Sequence, residues 1–317
     1  MSSRIIYIGA PEADAVQFET RARQDFPGID LFATNNRDAA LKEVVHADAV
    51  IGHHFQFDDA LLLSAPKLRW IQSLTTGTDA ILKLSALRSE VLLTSTRGMH
   101  GPQMSELVFL HMLSLARNFP KMLANQKQNI WERWPQALLL NKVVVIVGVG
   151  AISEALATRC KAFGMTVIGI ASSTRTVAGF DQVLPREQLQ NAAALADFMV
   201  LVVPLRADTE NMIDESVLAA MKPEAYLINV ARGGVLDESA LVAALRKKRL
   251  AGAALDVFKE QPLPPQSQLW QEPNLTISPL VGGMSNIYLE QAYPIVRRNL
   301  ASFLGDSASE MINLVPH

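Results

Sequence analysis

Between residues 142 and 175 the chain spells out strand, glycine turn, helix and second strand in one uninterrupted unit. Val143-Val144-Val145-Ile146-Val147 is an unbroken apolar run of β-branched residues, the pattern of a strand covered on both faces. It runs into Gly148-Val149-Gly150-Ala151-Ile152-Ser153, and an apolar-periodic helix follows through Leu156, Arg159 and Phe163. After a turn at Gly164, Met165 to Ile170 reads as the second strand. Gly148 suits the tight turn, and Gly150 lets backbone approach a pyrophosphate whose charge meets the N-terminus of the new helix at Ala151 and Ile152. Ser153 stands where a third glycine is usual and is small enough for close helix–strand packing. The unit is expected to bind a dinucleotide; the alternative is a glycine turn in an ordinary βαβ unit without a ligand.

The loop after the second strand bears on which nucleotide. An Asp or Glu about twenty residues past the glycines ordinarily holds the ribose 2′-hydroxyl. Here the strand ends at Ala171 and continues as Ser172, Ser173, Thr174 and Arg175. A carboxylate would repel a 2′-phosphate, whereas hydroxyls and a guanidinium hydrogen-bond it. NADP is therefore expected in preference to NAD, the alternative being a solvated polar loop with Arg175 in water.

With 317 residues, two domains are expected. An apolar content of 49% with 19% charged residues fits a soluble globular protein, and a net charge of −2 gives no general attraction to nucleic acid or anionic membrane. No apolar run is long enough to span a bilayer, and Met1-Ser2-Ser3-Arg4 leads into a strand rather than a secretory segment. Cys160, the single cysteine, falls on the apolar face of the glycine-turn helix, as a small core residue in a reducing cytoplasm would. No Cys/His cluster has metal-ligand spacing, so no metal is expected.

Strand and helix alternate through the first hundred residues: strands at about 4–9, 30–33, 49–52, 68–74 and 91–94, helices at about 12–25, 38–45 and 58–63. A long amphipathic helix is expected from Gly101 to about Phe119, opened by Pro102. Residues 125–141 read as a linker carrying Trp131 and Trp134. Further strands are expected at 198–203, 227–230, 253–258 and 275–277, with helices at 214–221 and 237–248. The last helix, about 285–304, is expected to return to the first layer. The charges Arg246, Lys247, Lys248 and Arg249 then close a helix whose start is acidic, which the helix dipole favours.

Most of the chain resembles the D-isomer-specific 2-hydroxyacid dehydrogenases. The resemblance lies in Val147-Gly148-Val149-Gly150-Ala151-Ile152, in Ala162-Phe163-Gly164-Met165-Thr166-Val167, and above all in Asn229-Val230-Ala231-Arg232-Gly233-Gly234-Val235-Leu236-Asp237-Glu238 continuing through Leu250-Ala251-Gly252-Ala253-Ala254-Leu255-Asp256-Val257-Phe258. It implies two doubly wound parallel-sheet α/β domains: a Rossmann nucleotide domain (99–286) inserted into a flavodoxin-like substrate domain (1–98 and 287–317). It implies hydride transfer between a small 2-keto acid and a D-2-hydroxy acid, and a homodimer. The resemblance places the cofactor against Val203, Pro204, Val230, Ala231, Arg232 and Asp256, the alternative for Asp256 being a structural turn residue. The Thr75-Thr76-Gly77-Thr78-Asp79 loop resembles the one whose amides hold the substrate carboxylate, with Thr76 and Gly77 at its centre. Arg232 matches the arginine that binds the carboxylate and polarises the carbonyl, a role suited to a permanently charged planar fork; the alternative is a structural arginine.

Two positions depart from the pattern. The glutamate expected before Pro-Leu-Pro is Gln261, and the acid–base histidine expected after Ser-Pro is Leu280. The changes fit each other, because a glutamate without its imidazole would be a desolvated, unpaired carboxylate. Losing a positioned general acid–base group typically costs 10²–10⁴ in rate, roughly 3–5 kcal/mol of barrier. Slow or atypical turnover is therefore expected; His53, His54 and His100 are candidate replacements, and surface or satisfied histidines are the alternative. The other reading is a silent nucleotide-binding sensor or interaction protein on the same fold.

Overall fold

The computed structural model describes residues 3–9, 12–305 and 307–317; Met1 and Ser2 of the opening segment lie outside these. The chain forms two compact units, one running to Met99 and resuming at Ser285, the other spanning His100–Met284.

In the first unit β1 (Arg4–Ile8), α1 (Glu12–Asp25), β2 (Asp30–Thr34), α2 (Arg37–Glu43), β3 (Ala49–Gly52), α3 (Asp59–Leu63), β4 (Trp70–Ser73), α4 (Asp79–Leu82) and β5 (Leu92–Thr94) alternate. All paired strands are parallel, in the order β2-β1-β3-β4-β5, the flavodoxin-like arrangement. Asn36 and Asp58 cap α2 and α3 by accepting from Ala39 and Leu61 amides. One face of this sheet buries Ile5, Tyr7, Ile51 and Trp70 against α1 and the C-terminal helix, where Tyr7 stacks on Phe18. The other buries Ile6, Ile8, Val50 and Ile71 under Leu61 and Leu62. A sheet apolar on both faces must be covered on both, which explains the near-continuous apolar strands.

The second unit opens with α5 (Gly101–Arg117) and α6 (Phe119–Lys127). There follow β6 (Val143–Val147), α7 (Ala151–Ala162), β7 (Thr166–Ala171), β8 (Gln182–Pro185), α8 (Leu189–Leu195), β9 (Phe198–Leu201), α9 (Glu215–Ala220), β10 (Tyr226–Asn229), α10 (Glu238–Arg246), β11 (Gly252–Leu255) and β12 (Leu275–Ile277). Seven parallel strands run β12-β11-β10-β9-β6-β7-β8, a doubly wound order that reverses between β6 and β9. Val144 to Val147 are fully buried, each such side chain contributing about 1.5–3 kcal/mol. The last helix, α11 (Tyr288–Leu304), packs Leu289, Val296 and Leu300 into the first unit.

Three sequence expectations need correction. The long helix ends at Arg117 rather than Phe119, because Asn118 adopts φ 52 and bends the chain. The segment from Asn125 is not all linker: α6 restarts with Pro120 in its first turn and runs to Lys127. Helix α4, strand β8 and helix α8 lie where no element was expected.

Candidate functional site

Every parallel strand of the second unit ends at the same edge of its sheet, so the loops after β6, β7, β9, β10, β11 and β12 gather there. The reversal between β6 and β9 opens the crevice where open α/β sheets bind ligands.

At Gly148 the backbone has φ 104, and a Cβ there would lie 2.8 Å from the Val203 amide nitrogen, so only glycine fits. Val203 and Pro204, leaving β9, thus form the floor under the turn. Gly150 is extended, and a Cβ on it would meet nothing within 4 Å. Open space over bare backbone, at the start of a twelve-residue helix whose first amides have no intrahelical acceptor, is the donor set a pyrophosphate needs. Ser153 does more than fill the third glycine's place: its buried hydroxyl accepts from the Gly150 amide (2.7 Å) and donates to the Gly150 carbonyl (2.8 Å), tying the turn to the helix.

Beyond β7, Ser172, Ser173 and Thr174 are exposed. Arg175 folds back so that its guanidinium donates to the Val149 carbonyl at 2.9 Å. The guanidinium is therefore held at the glycine turn itself.

Arg232 follows β10 through Val230 and Ala231. The Asn229 side chain, buried, accepts from the Ala231 amide (3.0 Å) and donates to the Arg232 carbonyl (3.1 Å), which fixes the bend. The Arg232 guanidinium donates to the Ala231 carbonyl at 2.8 Å. A Cβ on Gly233 would lie 1.9 Å from the Phe258 carbonyl carbon, so this bend packs directly on the loop that leads to Gln261. Gln261 and its neighbour Glu260 are both exposed.

Asp256 follows β11 and is buried. Its carboxylate accepts from the Ser278 hydroxyl (2.6 Å) and from the Val281 (3.0 Å) and Gly282 (2.9 Å) amides, while its carbonyl accepts from the Leu280 amide (3.0 Å). Through these bonds Asp256 shapes the whole loop after β12. Leu280 sits there at φ 56, a left-handed conformation costing a residue with a Cβ about 1–2 kcal/mol, and the side chain is 47% exposed.

Behind Ser278 stands His111 of α5, buried, its Nε2 3.2 Å from the Ser278 oxygen. Because the Ser278 hydroxyl gives its hydrogen to Asp256, it must accept from His111, which assigns the Nε2–H tautomer. Nδ1 is left buried without a hydrogen-bond partner, and burial holds the imidazole below its ordinary pKa despite Asp256. Sequence reasoning missed this His111–Ser278–Asp256 chain; the available signal was a histidine on the apolar face of α5.

His100, at the start of α5, is also buried; burial and then Arg232 push it down to about 4. A Cβ on Gly283 would lie 3.6 Å from its ring, placing the imidazole against the loop that carries Leu280. His53 and His54 belong to the other unit, where His53 stacks with Phe55 (5.3 Å between centroids). In that unit the Thr75–Asp79 loop follows β4; the Thr75 hydroxyl donates to the Gly77 carbonyl (3.0 Å), closing a turn around Thr76. Met99 and Met104 are buried core residues of their own units.

The family model described as "D-isomer specific 2-hydroxyacid dehydrogenase, NAD binding domain" matches residues 109–282. A glyoxylate reductase of Thermococcus litoralis is 32% identical over 288 residues, covering 87% of each chain. Among solved structures, a D-isomer specific 2-hydroxyacid dehydrogenase family protein of Aeromonas salmonicida aligns over 99% of both chains with TM-score 0.91 and 34% identity. An NADPH-dependent glyoxylate/hydroxypyruvate reductase of Sinorhizobium meliloti, in complex with NADP and sulfate, aligns over 99% of this chain and 98% of that one with TM-score 0.86 and 25% identity.

Proposed function

Since this chain belongs to the D-isomer specific 2-hydroxyacid dehydrogenase family and carries its NAD-binding domain, we propose that it reduces small 2-keto acids with NADP(H), slowly for want of the family's acid–base pair. The observation that carries the reading is the bare, open turn at Gly150 on the same sheet edge as Arg232. In this reading the unit from His100 to Met284 is the nucleotide domain and the other is the substrate domain.

The nicotinamide, when bound, supplies or accepts a hydride at C4. Gly148, Gly150, Ala151 and Ile152 hold the pyrophosphate, with Val203, Pro204, Val230 and Ala231 walling the crevice. Ser172, Ser173, Thr174 and Arg175 take the 2′-phosphate; Arg175, already anchored at the turn, favours NADP over NAD. Asp256 serves the nicotinamide end only through the loop after β12, which its carboxylate holds in place. Arg232 pairs with the substrate carboxylate and neutralises charge growing on the carbonyl oxygen. In the substrate domain, the Thr76 and Gly77 amides are the groups suited to a carboxylate. Gln261 and Leu280 replace the groups that would handle the proton.

A homodimer is part of the proposal. Leu110, Phe119, Leu123, Ile130 and Trp131 of α5, α6 and the segment after them are exposed, Trp131 at 94%, and such an apolar concentration on a monomer is unusual. No helix among the described residues is long and apolar enough to cross a membrane; we place the protein in the cytoplasm.

The test is NADPH absorbance with glyoxylate, hydroxypyruvate, pyruvate and phenylpyruvate. Wild type is expected to turn over slowly, and the paired change Gln261→Glu with Leu280→His to gain about 10²-fold or more. A paired variant that folds and gains nothing overturns the reading and favours a silent nucleotide-binding protein.

A further inference from the structure

Hydride arriving at a carbonyl carbon leaves an alkoxide, so the step needs a proton at that oxygen as it proceeds. Hydride arriving at an iminium carbon leaves a neutral amine, and the nitrogen carries its proton beforehand. The loops at the edge of the second sheet answer to the second demand. Leu280, in the acid's place, is apolar and held by the Asp256 carbonyl in a left-handed turn. Gln261 is uncharged. His100, against the same loop, is held neutral near pH 7 by burial and by Arg232, so it has no second proton to deliver. The Asp256 carboxylate is occupied by Ser278, Val281 and Gly282. Lys259 is exposed and donates to Asn211 (2.8 Å).

What this edge retains is Arg232, suited to a carboxylate. An iminium sheds its positive charge as it is reduced, so an apolar neighbour favours the reaction, whereas an imidazolium would repel the cation during binding.

We propose that this chain reduces 2-iminium acids, the condensation products of a 2-keto acid with ammonia or a primary amine, to 2-amino acids. The carbon gains a C–H bond and two electrons from NAD(P)H, which is oxidised. The C=N π pair becomes the nitrogen lone pair, and the amine then takes a proton from water. This rests on the nucleotide and carboxylate assignments of the proposed function, and changes the substrate class of the same site.

The experiment follows NADPH oxidation with pyruvate, glyoxylate and phenylpyruvate, each alone and with methylamine, and identifies products by mass spectrometry. Binding of NADPH is measured separately by fluorescence titration. Methylamine is expected to raise the rate about 10²-fold or more, the size of a general acid's contribution, and to yield N-methyl amino acids. Leu280→His is expected to invert the preference, raising reduction of the keto acid alone and lowering that of the iminium. Hydroxy acid as the sole product, with no methylamine effect, overturns the inference and leaves the proposed function standing. NADPH binding without reduction of either substrate overturns it too, and no NADPH binding removes both. Should the variant fail to fold, the wild-type comparison decides alone.

Discussion

At the residue scale, His100 ties burial to stability. Its pKa lies near 4 in the folded chain against an ordinary 6.5, so between these values the unfolded chain binds a proton that the folded one refuses. Stability therefore falls as pH drops through that window and is unaffected by this residue above it. Denaturant unfolding at pH 7 and pH 5 is expected to show this loss, and His100→Gln to reduce it; an unchanged pH slope in the variant contradicts the assignment. Arg232 and Asp256 stand out as candidates in the sequence because they sit in a long motif. His111 and Ser278 do not, because their bond joins residues 167 apart and a lone histidine on an apolar helix face has no periodic signal. Cys160 behaves as its position suggested: burial pushes the thiol up to about 12, and little thiolate forms near neutral pH.

At the scale of elements, strands with continuous β-branched runs were readable and short pieces were not. Strand β8 is four residues at the sheet's edge and ends in Pro185, which denies a ladder donor and blurs the pattern. Helix α8, Leu189–Leu195, spans only two turns, three of its seven residues are alanine, and its apolar stripe is thin. Helix α6 was hidden because Pro120 reads as a break when it is in fact a first-turn residue. The loop after β12 was legible only as a mismatch to a family, since its shape comes from Asp256 on the neighbouring strand end. Asp256→Ala strips the acceptor from two amides and a hydroxyl, and the expected loss is roughly 2–4 kcal/mol by urea denaturation. A loss under about 1 kcal/mol would show that the loop does not depend on this carboxylate.

At the scale of the molecule, two parallel sheets of five and seven strands divide the chain, and the exposed apolar residues of α5 and α6 call for a cover. Sedimentation is expected to show a dimer that Trp131→Asp weakens; a wild-type monomer at micromolar concentration contradicts the homodimer. The proposed chemistry requires a nucleotide bound over the glycine turn after β6. Gly150→Val tests it most directly, because the backbone there is extended and the new side chain meets nothing in the protein. Calorimetric titration with NADPH is expected to show one site per chain in wild type. The variant is expected to melt at the same temperature and to lose affinity by about 10²-fold or more, the worth of roughly 3 kcal/mol. No heat in wild type, or equal affinity in both proteins, would contradict nucleotide binding at this turn.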